Sequence, residues 1–380
     1  MANYNRVQNP RAYVDQLSRY IAVGHRTAAS HYLIKRINGT AITPEVAPLE
    51  TLFDLRPSNY IRIAKEEQQF YIDFDSGIGS DTVAEHSFLA ILGHNLYSAE
   101  SAGNASGCNL SLKMSDTTGA SGFGGTDGVD YVTLTQGGYM NKIINVASPA
   151  TMEGNPASRT DYITIPNNGW SLFTWNEDEI AATLPSYSGG NQIKRLEFRP
   201  WHTNASTDFD NDIDIGCILM GKVVDLGSPN MRVKFEVDYD GNKLINSVGG
   251  HTFSNSQSFG PPPWAAHDAW VIAGEDTHFY KWSRHQGRRK WSLKFDYVQD
   301  TDMYLSNMNT NHGGMADGTD LYSQFYHNII GSHLPFIFSA DRDSTNGGDY
   351  GLYRLADGKM RAEQIAHRFW SSKINLVESW

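Results

Sequence analysis

Residues 87–93 read SFLAILG and residues 213–224 read IDIGCILMGKVV. Both are short apolar runs rich in Ile, Leu, Val and Phe, which is typical of strands buried inside a sheet protein. Gly216 and Gly221 interrupt the second run, and glycine inside a strand indicates close backbone packing or a bulge. These two stretches predict a β protein with a closely packed core.

Further short runs of β-forming residues, separated by Gly, Asp, Ser and Pro, extend this pattern along most of the chain. Many short strands with few helices are typical of β-sandwiches. The turn-rich stretch 225–230 has no hydrophobic periodicity, and we expect a domain boundary there. The predicted fold is mainly β, with two tandem jelly-roll-like β-sandwich domains at 46–228 and 229–380. The predicted strands cover residues 60–63, 70–74, 87–93, 110–114, 162–165, 171–175, 193–200, 213–224, 232–239, 281–282, 289–297, 334–339 and 374–378.

The first 45 residues show a helical pattern instead. Asn9 can cap a helix, Pro10 suits its first turn, and apolar residues recur from Tyr13 to Ile21 at spacings of three and four. A second helical stretch is predicted from Thr27 to Ile37. The sequence therefore predicts an N-terminal helical arm at 1–45, which either docks on a neighbouring subunit or covers the open end of its own domain.

A glycine-rich interval occupies residues 116–138, within the first predicted sandwich. Long intervals of this composition are more often functional loops or insertions than core. Its only strand-like stretch is residues 130–134. We expect an insertion that interrupts the first sandwich.

Composition limits the classes of partner. The net charge is −11, and 19% of residues are charged, against roughly 25% in ordinary domains. An acidic chain does not favour nucleic acid, no stretch is long and apolar enough for membrane insertion, and no signal peptide pattern stands at the start. We expect a protein made in a reducing cytoplasm, with no nucleic-acid partner and no membrane insertion.

One acidic loop could bind a hard cation. Asp208, Asp210, Asp212 and Asp214 alternate along the chain, and carboxylate oxygens are the ligands that Ca²⁺ prefers. The loop lacks the glycine and glutamate of an EF-hand, so an ordinary acidic turn is the favoured interpretation. Because hydrolase, nucleotide-binding and zinc motifs are also absent from the sequence, we expect no enzyme activity and no cofactor, with Ca²⁺ as the one ion considered.

Three tryptophans are candidates for contact with a glycan or a protein partner, namely Trp170, Trp201 and Trp264. Indole rings exposed on loops can stack on sugars, although most tryptophans in sandwiches are core residues. Trp264 follows three prolines, which stiffen the chain and fix the position of the ring.

Two resemblances add to this interpretation. Residues 70–75, 87–96, 196–198 and 215–221 resemble the strands of discoidin-like, galactose-binding β-sandwich domains. The resemblance covers about residues 50–225 and implies a jelly-roll sandwich in the first half. No sugar-binding residue is carried over from it, because the loops do not match.

Residues 233–250, 254–255, 260–264, 291–297 and 376–380 resemble a structural protein of tailed-bacteriophage virions, of the baseplate or tail-tip kind. The resemblance implies a non-enzymatic structural component of the virion tail or baseplate, which assembles into a symmetric oligomer. Its partners would be copies of itself and other tail or baseplate proteins. The alternatives are a carbohydrate-binding module for host recognition, with a host glycan as partner, a tail-fibre adaptor, and an enzyme that degrades polysaccharide. Low charge and many aromatics agree with surfaces that become interfaces.

Overall fold

The computed structural model of the chain describes residues 9–24, 32–75, 86–99, 107–115, 131–134, 140–145, 167–176, 193–200, 208–239, 243–255, 260–264, 287–303 and 321–379, together with residues 7, 27, 28, 123, 180 and 270. The structure is mainly β, as predicted. Its strands are β1 (Arg11–Asp15), β2 (Tyr32–Arg36), β3 (Ile61–Ile63), β4 (Phe70–Asp75), β5 (Phe88–His94), β6 (Cys108–Ser115), β7 (Tyr131–Leu134), β8 (Met140–Ile144), β9 (Gly169–Trp175), β10 (Ile193–Pro200), β11 (Ile213–Asp225), β12 (Lys234–Asp238), β13 (Lys243–Asn246), β14 (Thr252–Asn255), β15 (Arg288–Gln299), β16 (Phe336–Ser339), β17 (Tyr350–Leu355), β18 (Ala362–Ala366) and β19 (Phe369–Glu378).

Helical structure is short within the described residues. Helix α1 covers Leu17–Ala22 and α2 covers Asp300–Met303, while Tyr322–His327 forms a π-helical turn. Single 3₁₀ turns lie at Leu49–Phe53, Lys65–Glu67 and Gly347–Asp349. None of the described helices is long and apolar enough to cross a membrane.

Two antiparallel sheets pack face to face in the first half of the chain. One is a five-stranded sheet in the order β2-β4-β10-β6-β7, and the other is a twelve-stranded sheet that contains β3, β5, β8, β9 and β11. Ile91 and Phe173 of the long sheet share one buried core with Ile72 and Leu112 of the short sheet. Side chains alternate along a strand, so every second residue in the central part of β5 and β9 enters this core.

The intervening residues of the long sheet enter a second core on its opposite face. Ala90, Leu172 and Leu219 belong there, together with Trp264 and Tyr350 from the second half of the chain. Strands β5 and β9 are therefore buried along their whole length and on both faces. This double burial explains why the sequence of β5 is continuously apolar instead of alternating.

The predicted N-terminal helical arm is wrong in its main element. Arg11–Asp15 is a strand in the middle of the long sheet, where it pairs with Gly221–Asp225 on one side and with Ile337–Ser339 on the other. The partners on both sides outweigh a helical spacing that covers few residues, and Tyr13 and Val14 have high β propensity. The helix begins only at Leu17, where Asp15 accepts hydrogen bonds from the backbone N–H groups of Leu17 (3.2 Å) and Ser18 (2.9 Å).

The second predicted helix of the arm is wrong as well. Its centre, Tyr32–Arg36, is strand β2 and pairs with Phe70–Phe74 of β4 in the short sheet. Tyr32 and Ile34 point into the first core, whereas Leu33 and Lys35 point outward. The alternating burial is that of a strand, and pairing with β4 fixes it.

The long sheet continues across the predicted domain boundary. Ten of its strands follow the order β12-β15-β19-β17-β16-β1-β11-β5-β9-β8, while β18 pairs with β19 and β3 pairs with β11. Strands from both predicted domains are therefore hydrogen-bonded into one sheet through β1. Two separate tandem sandwiches are not confirmed by this topology, and the boundary near residue 228 stays a prediction. Within the glycine-rich interval 116–138, only Phe123 and β7 belong to the described residues.

Glycines inside the long sheet allow close backbone approach, as the sequence predicted. A Cβ atom on Gly221 would lie 2.0 Å from the carbonyl oxygen of Val14, and one on Gly216 would lie 2.4 Å from that of Pro57. Real Cβ atoms do not approach a carbonyl oxygen so closely. Gly221 therefore makes the pairing of β1 with β11 possible.

Candidate functional site

The structure places two of the three candidate tryptophans in the interior. Trp170 and Trp264 are each 1% exposed, and their ring centroids lie 4.8 Å apart in the second core. The centroid of Tyr350 lies 5.9 Å from that of Trp170 and extends the cluster. A sugar needs an open ring face, and neither indole offers one in this structure. Trp201 lies outside the described residues.

The carboxylates of the acidic loop make separate structural contacts. Asp214 accepts two hydrogen bonds from Arg62, at 2.8 and 2.9 Å. Asp212 accepts the backbone N–H of Lys65 at 3.1 Å, and Asp208 accepts the side-chain amide of Gln68 at 3.0 Å. These bonds tie the loop to residues 62–68, the segment that includes the end of β3.

In the described part of the chain, these carboxylates are not gathered into one group. There, no group of three or more His, Cys, Asp or Glu side chains is arranged to hold a metal ion. Asp210 belongs to the same loop. Calcium binding by Asp208, Asp210, Asp212 and Asp214 stays a prediction, which the separate hydrogen bonds of Asp208, Asp212 and Asp214 do not support.

A layer of charged side chains covers the outer face of the short sheet. Arg195 binds the carboxylate of Asp73 with two hydrogen bonds, at 2.7 and 3.0 Å. Glu197, which is buried, lies 3.1 Å from the ammonium of Lys113 and accepts a hydrogen bond from Arg199 at 2.9 Å. Both carboxylates are therefore held by cations, which gives the layer a structural role.

Aromatic rings complete this charged layer. The guanidinium of Arg195 lies 3.8 Å from the ring centroid of Tyr71 and 4.4 Å from that of Phe123. Such contacts between a cation and a ring face are attractive, more so when water is excluded. Phe123 thus connects the glycine-rich interval to the outer face of the short sheet.

A cavity of about 350 Å³ lies between α1 and the π-helical turn. Its lining includes Arg19, Tyr322, Tyr326 and Met360. The guanidinium of Arg19 donates to the carbonyl oxygens of His327 (2.7 Å) and Asn328 (3.2 Å), and burial lowers its pKa to about 10. Because a helix end leaves carbonyl groups without helical partners, Arg19 caps this turn.

Exposed apolar side chains are concentrated in one segment of the second half. Among the described residues, four large apolar side chains before residue 229 are strongly exposed, against twelve after it. Eight of these twelve fall within residues 231–255, which we call the apolar segment. They are Met231, Phe235, Val237, Tyr239, Leu244, Ile245, Val248 and Phe253.

Both faces of the hairpin β13–β14 are open. Leu244 and Ile245 are consecutive, so they point to opposite faces of the hairpin, and they are 71% and 63% exposed. Phe253 on β14 is also 63% exposed. A two-stranded hairpin alone is at best marginally stable in water, and it gains stability by packing its apolar face against another surface. The hairpin therefore has the properties of a contact surface.

Sequence reasoning missed the hairpin as a candidate site. It did not single out the apolar pair Leu244–Ile245, which breaks the alternation of polar and apolar residues expected of a half-buried strand. Adjacent apolar residues in a short strand are the signal that could have marked it. Exposed Phe235 and Val237 on β12 carried no such signal, because their alternation is that of any half-buried strand.

Comparison with known proteins finds no relatives. No family model, no curated protein and no solved structure matches this chain.

Proposed function

We propose that this protein is a non-enzymatic structural subunit of a larger assembly, which it joins through the apolar segment. One observation carries the proposal, namely the eight strongly exposed apolar side chains gathered within residues 231–255. So many strongly exposed apolar side chains in one segment differ from the single, scattered ones of an ordinary protein surface and favour an interaction site. Covering a single large apolar side chain contributes roughly 1.5–3 kcal/mol, so several together stabilise an association.

We further propose that the assembly is the tail or baseplate of a tailed-phage virion. The support is the resemblance of residues 233–250 and 291–297 to tail proteins, together with the low charge and high aromatic content of the chain. In this proposal the subunit is made in the host cytoplasm and contacts copies of itself and neighbouring tail proteins. The host-recognition alternative loses two of its three candidate tryptophans, because Trp170 and Trp264 are buried.

Sedimentation analysis over a range of protein concentrations tests the association. The wild-type chain should form oligomers, and a variant with Leu244→Ser, Ile245→Thr and Phe253→Ser should remain monomeric with an unchanged fold. The matched control carries Ile37→Thr and Val46→Thr, two strongly exposed apolar residues of the first half, and should associate like the wild type. A wild-type chain that stays monomeric at every concentration would overturn the proposal.

Labelling of particles tests the virion assignment separately. An antibody against the chain should decorate the tail or baseplate of purified tailed particles in electron micrographs, and peptides of the chain should appear in their mass spectra. Particles without label and without peptides would contradict the assignment to the virion, while leaving the self-association to be judged by sedimentation.

A further inference from the structure

Strand β12 is an edge strand of the long sheet among the described residues. It lies at one end of the strand order and pairs with β15 on its inner side, and no described strand pairs with its outer side. Such an edge presents a row of N–H and C=O groups to any strand that can align with it. Strand β12 contains no proline or glycine, and its register with β15 is regular from Lys234 to Asp238.

The other described edges of this sheet carry the protections that natural proteins use. Strand β3 has only three residues, and the registers of β8 and β18 with their neighbours are shifted by irregularities. Short strands and bulges prevent further pairing. Strand β12 is therefore the described edge of the long sheet that is best able to accept another strand.

The sequence around β12 is complementary to itself when reversed. Residues 232–238 read RVKFEVD, so charges of opposite sign stand at equal distances on either side of Phe235. In an antiparallel pair of two copies with Phe235 opposite Phe235, Lys234 faces Glu236 and Arg232 faces Asp238, each twice. Val233 faces Val237, also twice. Every pair in this register is either oppositely charged or apolar.

Neighbouring registers lose this match. A shift of one residue places apolar side chains opposite charged ones, because side chains alternate between the two faces. Centring the pair on Glu236 or on Val237 places carboxylates opposite each other, which is destabilising. The pattern thus selects one register among those close to it.

We propose that a second copy of this chain pairs with β12, antiparallel and centred on Phe235, so that the long sheets of two subunits join across a two-fold axis. A two-fold interface uses the same patch on both subunits, as this strand requires. The ring centroids of Phe235 and of Trp291 on β15 lie 4.5 Å apart. Pairing of two β12 strands therefore brings four aromatic rings together across the axis. This inference rests on the proposed function and specifies the partner of part of the apolar segment.

Charge reversal with rescue tests the register. In sedimentation equilibrium, Lys234→Glu and Glu236→Lys should each weaken dimer formation by roughly tenfold or more, because each turns two attractive cross-strand pairs into repulsive ones. The double variant restores both pairs and should return the affinity to within about threefold of the wild type. A double variant as weak as the single ones would overturn the register, even where the wild type is oligomeric.

Single-cysteine cross-linking gives an independent measurement. Only the residue on the axis faces its own copy, so Phe235→Cys should form covalent dimers on mild oxidation or with a short bis-maleimide. The matched control Val237→Cys has a similar exposure on the same face (44%, against 48% for Phe235) and should not. The native Cys108 and Cys217 are buried and should not interfere. Covalent dimers with Val237→Cys, or with neither variant of an oligomeric chain, would overturn the inference, whereas a monomeric wild type would instead overturn the proposed function.

Discussion

The two ends of the long sheet differ in how much of their apolar surface the chain covers by itself. Around β5, β9 and β11, cores lie on both faces, and Leu89, Leu172 and Leu219 are fully buried. Along β12, and in the hairpin β13–β14 that follows it in the chain, side chains of the same chemical kind are open to solvent. Apolar sequence alone therefore does not separate buried core from exposed surface in this protein, whereas the number of layers packed on each strand does.

We call the part of the long sheet around β12 and β15 the open end. The largest expected effect tests whether this open end has a tightly packed interior of its own. Arg289 on β15 binds the buried carboxylate of Glu378 on β19 and also donates to the carbonyl oxygens of Gly348 and Tyr350, both at 2.7 Å. Glu378→Ala leaves a buried guanidinium without this carboxylate, which costs about 3–5 kcal/mol. Denaturant unfolding should show that loss.

The control for Glu378→Ala is an exposed ion pair in the same half. Asp357 lies 3.3 Å from the guanidinium of Arg361 at the surface, and Asp357→Ala should change the free energy of unfolding by less than about 0.5 kcal/mol. Equal changes in the free energy of unfolding for the two variants would mean that the open end has no tightly packed interior.

The next effect concerns the pairing of β1 with β11, which connects the two ends of the long sheet. Gly221→Ala places a methyl group against the carbonyl oxygen of Val14 and should destabilise the protein by roughly 3 kcal/mol, in a single unfolding transition. Gly249→Ala is the control, because its Cβ would meet only the hydroxyl of Ser247 at 3.9 Å. Two separate transitions in the Gly221→Ala variant would show that the ends unfold independently and are not coupled through β1.

The pH dependence of stability tests the same pairing of β1 with β11, because Asp15 on β1 accepts the backbone N–H of Met220 on β11. Burial raises the pKa of Asp15 from 3.8 to about 6, despite the N–H groups that bind its carboxylate. The folded state therefore holds this proton more tightly than the unfolded state does, and the stability from Asp15 is full below pH 4 and is lost as the pH rises to 6.

Asp15→Asn removes this pH dependence. Between pH 4 and 6 the free energy of unfolding of the wild type should fall relative to that of the variant by on the order of 2–3 kcal/mol. The measurement is urea unfolding of both proteins across this interval. If the free energies of unfolding of the two proteins change in parallel with pH, Asp15 is not a buried ionisable group beside β11.

The smallest effect on stability is expected in the apolar segment. At concentrations where the chain is monomeric, Leu244→Ala should change the free energy of unfolding by less than about 0.5 kcal/mol. The same substitution at Leu219, in β11, should cost about 2–5 kcal/mol, because it opens a cavity in a closed core. A large loss from Leu244→Ala in the monomer would mean that the hairpin is part of the subunit's own core.

Much of the fold could be predicted from the sequence, and the exceptions have physical causes. The described strands β4, β5, β6, β9, β10 and β11 match predicted runs, because β-branched and aromatic residues between turn signals determine them locally. Strand β1 was missed because its pairing with β16 joins residues more than 300 positions apart. Such partners leave no local trace in the sequence.

The candidate site was less predictable than the fold. Trp170 and Trp264 have the composition of a sugar-binding surface, yet their position in the second core depends on how the chain packs around them. The exposure of Leu244 and Phe253 likewise depends on which surfaces the chain leaves uncovered. The self-complementary charges around Phe235 stand in the sequence, but they gain meaning only once β12 is known to be an edge strand.

Hydrogen exchange measured at low and at high protein concentration tests the central claim most directly, namely that the open end is completed by another subunit. The backbone amides of residues 234–238 and 243–255 should exchange fast in dilute protein and become protected as the concentration rises, while those of residues 88–92 stay protected throughout. Equal exchange of residues 234–255 at both concentrations would contradict the account.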